Sequence, residues 1–420
     1  MELTTEQRDL RDAVRGLLAR HRQPGAAAPG WAAEPGPARE PGAAGEPGAA
    51  GEPGAGGEPG AAGEPGAGGE PGPGYDVPLW QRLCGEIGVA GLAIPERYGG
   101  AGAGPVETHI VMEELGRGLV SAPLLGSAVL AGQALLASGD DAACQRLLPG
   151  IASGATVAAL AWAPRAGHWD PGEPAFAARA GSSGDGGSGH AWALTGEAHH
   201  VLDGDTAGVL LAAARTPDGI ALFEVDPQAR SVTRCAVTTM DTTRRLAVVG
   251  LEGAPGRRLG PGPGSGALAQ ARDLACIALA GEQAGAAQRA LELTVAYTKT
   301  RVQFGRAIGS FQALQHRMAD LHVLVESARS LCYAAASAAG AAADPAADTA
   351  RLGLLAAAAK AYCSQALTRA AGQMIQLHGA IGITWEHDAH RYFKRAHGAG
   401  QLFGAPAEHV ARIAAALIDG

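Results

Sequence analysis

From residue 266 to 418, five long runs rich in alanine and leucine follow one another with short breaks, at 266–300, 311–340, 345–378, 386–398 and 406–418. Helices of that length cannot bury their apolar faces alone. Joined by short connections they pack side by side, so this half of the chain is predicted to be a helical bundle. Asp344-Pro345 marks one turn, because a proline disfavours helical backbone at the residue before it.

Ahead of the bundle the pattern changes twice. Residues 4–22 place Leu10, Val14, Leu17 and Leu18 at helical spacing behind Thr4 and Thr5 as caps. Leu79, Leu83 and Ile87 mark a second helical face, and further helices are predicted near 105–118, 122–137 and 141–150. Then come short apolar or β-branched runs: Val157–Ala163, Trp192–Leu194, Val209–Ala213, Ala221–Val225, Val232–Val237 and Leu246–Val249. Turn signals separate them at Gly196-Glu197, Asp203-Gly204, Pro217-Asp218-Gly219 and Asp226-Pro227, which spells an antiparallel β domain with Gly181–Gly189 as an insertion. The predicted organisation is mostly α. A first helix spans 1–22, a low-complexity insertion 23–75, the rest of an N-terminal helical domain 76–153, a middle antiparallel β domain 154–262, and a C-terminal bundle 263–420 after a Gly-Pro-Gly-Pro-Gly hinge.

Within the insertion, glycine takes every third position from Gly42 to Gly72 in a Gly-Glu-Pro-Gly-Ala-Ala/Gly repeat. So few triplets inside a globular frame read as a solvated, extended linker rather than a collagen helix. The tract also explains the charge. The chain carries 33 Lys and Arg against 41 Asp and Glu, net −8, and seven glutamates with Arg39 in the tract account for −6 of it. A nearly neutral body with no basic stripe excludes nucleic-acid binding as the main function. Six scattered cysteines without a C-x-x-C pair argue against a disulfide framework or zinc site and point to a reducing cytoplasm. The charged start Met1-Glu-Leu-Thr-Thr-Glu lacks an apolar h-region. The uncharged stretch Gly118–Gly139 carries Pro123, Gln133 and three serines, so it reads as a buried helix rather than a membrane span.

Two segments are specific enough to name a family. One is Tyr297-Thr-Lys-Thr-Arg301-Val-Gln303-Phe304-Gly305-Arg-Ala-Ile308-Gly-Ser-Phe311-Gln312, followed by His316-Arg-Met-Ala319-Asp320. The other is Gln376-Leu-His-Gly379-Ala380-Ile-Gly382-Ile383-Thr384. Alone, Arg301 reads as a helix-end cation and Gly379 as a helix C-cap. Together and at this spacing, the segments resemble two signatures of the acyl-CoA dehydrogenase family. Ile94-Pro-Glu-Arg-Tyr-Gly-Gly, Glu113-Glu-Leu-Gly116-Arg117 and Leu194-Thr-Gly-Glu extend the likeness over nearly the whole chain outside the repeat.

The resemblance implies an N-terminal helical domain, a β-barrel-like middle domain, a C-terminal four-helix bundle, and assembly as a dimer of dimers. It implies FAD, an acyl-CoA substrate, and an acceptor resembling electron-transfer flavoprotein. It assigns Arg301 to the FAD pyrophosphate across a subunit interface, Gln303, Phe304, Ile308, Phe311 and Gln312 to the ADP moiety, and Gln376, Gly379 and Ala380 to the opposing turn. The chemistry agrees: a guanidinium forks onto phosphate oxygens, and small residues let backbone N–H groups approach a dinucleotide.

The chain departs from the family at the base. Family members remove an α-proton with a glutamate while flavin N5 takes the β-hydride, and a carboxylate suits that task in a dry site because burial raises its pKa. The position matching the base is Gly404, in Phe403-Gly404-Ala405-Pro406. The alternative position used by a minority of members is Ala275. Asp273 stands two residues away, about 200° around a helix, and with Glu282 and Glu386 reads as solvated or structural. The loop expected against the flavin ring is Ala161-Trp162-Ala163-Pro164-Arg165, and two further ring-lining positions carry His200 and Leu202. His199 and His200 have no third ligand at metal spacing and read as strand imidazoles.

This profile resembles the base-lacking partner in α2β2 acyl-CoA dehydrogenases of actinobacterial sterol side-chain oxidation, as does Trp385-Glu-His-Asp-Ala-His390. A second subunit would then supply the glutamate and the ring pocket. The alternatives are a homomeric flavoenzyme of secondary metabolism and a non-catalytic scaffold of the same fold.

Overall fold

A computed structural model describes residues 3–21, 74–180, 192–340 and 345–418. The Gly-Glu-Pro repeat, the Gly181–Gly189 insertion and Asp344 lie outside the described residues. The segments flanking the repeat meet: α1 (Thr5–His21) ends with His21 Nε2 2.6 Å from Asp76 Oδ2. Asp76 in turn caps α2 (Val77–Arg82), accepting from the Leu79 N–H at 2.9 Å. The described residues on the two sides of the repeat thus meet at one point.

After α2, a wider helical turn, Leu83–Ile87, leads to α3 (Pro105–Gly118). A second wide turn, Leu125–Ala131, runs into α4 (Gly132–Ala137), so the helix expected over 122–137 starts three residues late. Asp140 caps α5 (Asp141–Ala152) through the Ala143 N–H at 2.9 Å.

Seven strands follow: β1 (Ala158–Ala161), β2 (Phe176–Ala180), β3 (Trp192–Leu202), β4 (Val209–Thr216), β5 (Gly219–Val225), β6 (Val232–Val237) and β7 (Leu246–Leu259). Pairings run β4–β2–β3–β7–β5 and return from β5 to β4, closing a barrel, with β6 laid on β7. Most pairs are antiparallel, but β4 takes β1 and β2 in parallel. On β4, Leu210, Ala212 and Ala214 fill the barrel while Leu211 and Ala213 join the core shared with the helices. Both faces are buried, which is why the run reads as continuously apolar. The expected turn at Gly196-Glu197 is instead inside β3. Gly196 has φ +144° beside a register shift, and a Cβ there would lie 2.4 Å from the Ala175 carbonyl oxygen.

The remaining long helices are α6 (Gly264–Thr300), α7 (Gln312–Gly340), α8 (Pro345–His378), α9 (Ala389–Gln401) and α10 (Pro406–Ile418). The last predicted pair differs by three residues at the start of α9, where Asp388 precedes the first turn. At 37 residues α6 spans about 55 Å, and α3, α7 and α8 pack on it. Its crossing with α3 is backbone to backbone: a Cβ on Gly116 would sit 2.0 Å from the Glu282 carbonyl oxygen, and one on Gly285 2.0 Å from that of Glu113. Glycine at both contacts is what lets the N-terminal helices and the bundle share one core. No helix among the described residues is long and apolar enough to cross a membrane.

Candidate cofactor and active site

The first motif leaves α6 as a small projecting arm. Arg301 turns out of the helix with its N–H still donating to the Tyr297 carbonyl at 2.9 Å. Two short strands, β8 (Val302–Gln303) and β9 (Arg306–Ala307), then pair as a hairpin. Its tip is Phe304 at φ +53° and Gly305 at φ +77°, the twist a two-residue hairpin requires. Phe304 is 91% exposed, so it is no core residue. The Arg306 guanidinium lies 4.0 Å from the Phe311 ring centroid, and Phe311 meets Phe304 edge-on at 6.2 Å. Ile308 and Phe311 are half-buried beneath the hairpin, and Gln312 opens α7 in solvent.

The second motif ends α8 beside this arm. The Tyr297 ring stacks on His378 at 4.3 Å, and its hydroxyl approaches the His378 carbonyl at 3.4 Å. His378 is also 4.2 Å from the His387 ring, centroid to centroid. Gly379, at φ +65°, begins a short helical turn, and Gln376, Gly379 and Ala380 are all exposed. The fold therefore brings the two motif segments together at the junction of α6 and α8, with a cation, an exposed aromatic face and a small-residue turn open to solvent. These groups suit the ADP end of a dinucleotide.

On the side expected to meet the ring, aromatic side chains stack. Trp162, fully buried at the end of β1, donates its indole N–H to the Asp170 carbonyl at 3.1 Å. It meets Trp169 edge-on at 5.5 Å, and Trp169 meets Phe403 at 5.0 Å. The ring-loop and base-position segments come together through these rings, and Trp169, Asp170, Phe403 and Gly404 also border an open groove. Leu202 faces a gap of about 20 Å³ shared with Gly126, Arg244, Glu282 and Arg395. There Arg244 and Arg395 reach Glu282 Oε1 at 2.5 and 2.7 Å, and Arg395 reaches Asp241 at 3.2 Å. Burial pushes the neighbouring Asp203 carboxyl up to about 7.

No candidate base is free. Gly404 has φ +110°, and its carbonyl accepts from the Lys360 ammonium at 3.2 Å. Lys360 is fully buried, donating also to the Gly400 carbonyl and Ser364 Oγ at 3.0 Å, and burial lowers its pKa to about 8. Nothing in the sequence pattern announced it, since a lysine within an alanine-rich helix reads as a surface residue. Ala275 is buried and inert. Asp273 reaches a cavity of about 380 Å³ lined by Gln133, Leu274 and Ile277, but Arg412 holds both its oxygens at 2.8–2.9 Å. On the other side of that ion pair, Arg272, Arg412, His409 and Glu408 line a polar groove of about 410 Å³ running to Phe403 and Gly404. Glu282 belongs to the arginine network, and Glu386 is exposed. His199 pairs with Glu197 at 2.7 Å, and no group of three metal-binding side chains occurs among the described residues.

A barrel set between two helical parts, with a hairpin projecting at the bundle end, is the architecture expected of a flavin-dependent dehydrogenase of acyl thioesters. Family models agree. The acyl-CoA dehydrogenase N-terminal domain matches residues 70–155, the C-terminal domain matches 264–418, and the chain belongs to the acyl-CoA dehydrogenase family of FAD-dependent oxidoreductases acting on CH–CH groups. Among relatives, acyl-CoA dehydrogenase IpdE2 of Mycolicibacterium smegmatis is 40% identical over 342 residues, 81% of this chain and 88% of its own length. IpdE2 of Mycobacterium tuberculosis is 41% identical over 341 residues, 81% and 86% of the two chains. Two solved structures superpose with TM-score 0.78. They are a Tcur3481–Tcur3483 steroid ACAD variant, 27% identical and covering 99% of this chain and 98% of its own, and the ChsE4–ChsE5 complex from Mycobacterium tuberculosis, 26% identical and covering 100% and 99%.

Proposed function

We propose that this chain is the base-lacking subunit of a heteromeric acyl-CoA dehydrogenase, and that it lends its arm to an FAD whose ring is seated by a partner subunit. The observation that carries the reading is the asymmetry of the site. The arm residues are open to solvent, whereas the position matching the family's base carries Gly404, with Trp162, Trp169 and Phe403 stacked beside it. FAD, when bound, supplies the acceptor for the β-hydride. Arg301 would fork onto its pyrophosphate, with Gln303, Phe304, Ile308, Phe311 and Gln312 along the ADP moiety and Gln376, Gly379 and Ala380 against its opposite side. The partner would contribute the glutamate that takes the α-proton, and electrons would leave to an acceptor resembling electron-transfer flavoprotein. The ChsE4–ChsE5 neighbour, itself a complex of two different chains, supports a two-subunit assembly.

The test is to purify the chain alone and again with a co-expressed second acyl-CoA dehydrogenase subunit from an adjacent gene, recording absorbance and native mass. A colourless chain alone, and a yellow heteromer that desaturates an acyl-CoA, is the expected result. A yellow homotetramer with FAD in every subunit overturns the reading.

A further inference from the structure

Cys332 of α7 and Cys363 of α8 face each other in the bundle core with their sulfurs 3.1 Å apart, and both side chains are fully buried. Their surroundings are small: Ala328, Ala335, Ala336, Ala359 and Ala366 belong to the same core. A disulfide holds its sulfurs about 2.05 Å apart, so about 1 Å of approach separates this contact from a bond. Neither thiol has a part in the cofactor arm or the ion network.

We propose that Cys332 and Cys363 form an oxidation site, at which a two-electron oxidant of the peroxide class converts the pair to a disulfide that staples α7 to α8. Both S–H bonds break and one S–S bond forms. The two electrons and two protons pass to the peroxide, whose O–O bond breaks to give two waters. The staple would join the helix that starts at Gln312 to the helix that ends beside Gln376, so it braces the two elements presenting the arm. Burial and the Cys363 contact hold the Cys332 thiol well above its usual range, and the thiolate is the reactive form. Oxidation therefore waits on separation of the two helices and is slow beside that of the exposed Cys235.

The full chain is treated under native conditions with N-ethylmaleimide to cap accessible thiols, then with hydrogen peroxide. It is next unfolded in iodoacetamide and mapped without reduction. The expected product is a linked Cys332–Cys363 peptide lacking two hydrogens, formed faster in sub-denaturing urea, with an upward shift of the melting midpoint in the oxidised chain. Cys332→Ala and Cys363→Ala should each leave the other cysteine alkylated by iodoacetamide. Recovery of both cysteines alkylated in the wild-type chain, or as separate sulfinic or sulfonic acids, or linked to other cysteines, overturns the proposal.

Discussion

Lys360 sets a pH dependence whose sign follows from its burial. In the unfolded chain lysine keeps its proton to about pH 10.5, while the folded chain releases it near 8. Between those values the unfolded state binds more protons, so stability rises with pH, by an amount on the order of 3 kcal/mol. Below pH 8 both states are charged and the full desolvation cost remains. Lys360→Met should lose that alkaline rise, and at neutral pH show little net change, because relief of the desolvation cost offsets the about 1–3 kcal/mol lost where the Gly400 and Gly404 carbonyls lose their donor. Urea melts of both proteins near neutrality and at about pH 10 check it. His109 works at the acid end. Buried against Tyr333, with neither ring nitrogen hydrogen-bonded, it titrates near 4 when folded against 6.5 when free. Its contribution is present above pH 6.5 and lost as pH falls toward 4, so His109→Leu should flatten the acid limb of the stability curve. The arm residues were legible because their order and spacing repeat a known pattern. Lys360 and His109 were not, since burial is a property of the fold around a residue.

Among the elements, the hairpin β8–β9 holds an exposed phenylalanine in left-handed backbone, costing solvation and strain together. Phe304→Gly should leave the melting temperature of the isolated chain unchanged or slightly raised, by up to about 1 kcal/mol of relieved strain. It should also weaken FAD retention in the assembled heteromer. Calorimetry and absorbance after gel filtration measure the two effects separately. The long helices were legible to within a few residues because their alanine and leucine content leaves no competing reading. Strand β2 was missed: Phe-Ala-Ala-Arg-Ala offers one large apolar side chain, and its partners on β3 and β4 lie 12 or more residues further along the chain. The length of β3 was hidden by Gly196, whose role is a close approach to the Ala175 carbonyl rather than a chain reversal.

At the scale of the whole molecule, the proposed division of labour predicts FAD substoichiometric to subunits. One flavin per pair of unlike chains is expected from absorbance against protein concentration. Arg301→Lys should weaken its retention about tenfold or more, because an ammonium cannot reproduce the bidentate fork. Gly404 at the position matching the family's base was legible, but the aromatic stack beside it was not. Phe403 lies far along the chain from Trp162 and Trp169, and only the fold makes it their neighbour. That packing bears on how such a chain can change over time. Gly404→Glu would place a side chain on backbone at φ +110° with its Cβ 3.1 Å from His409 Nε2. On the proposed division of labour, the ring seat belongs to the partner, so the isolated variant should show no dehydrogenase turnover. Dependence on a partner would then work as a ratchet: a carboxylate regained at position 404 alone restores no activity, and selection has no single-step path back.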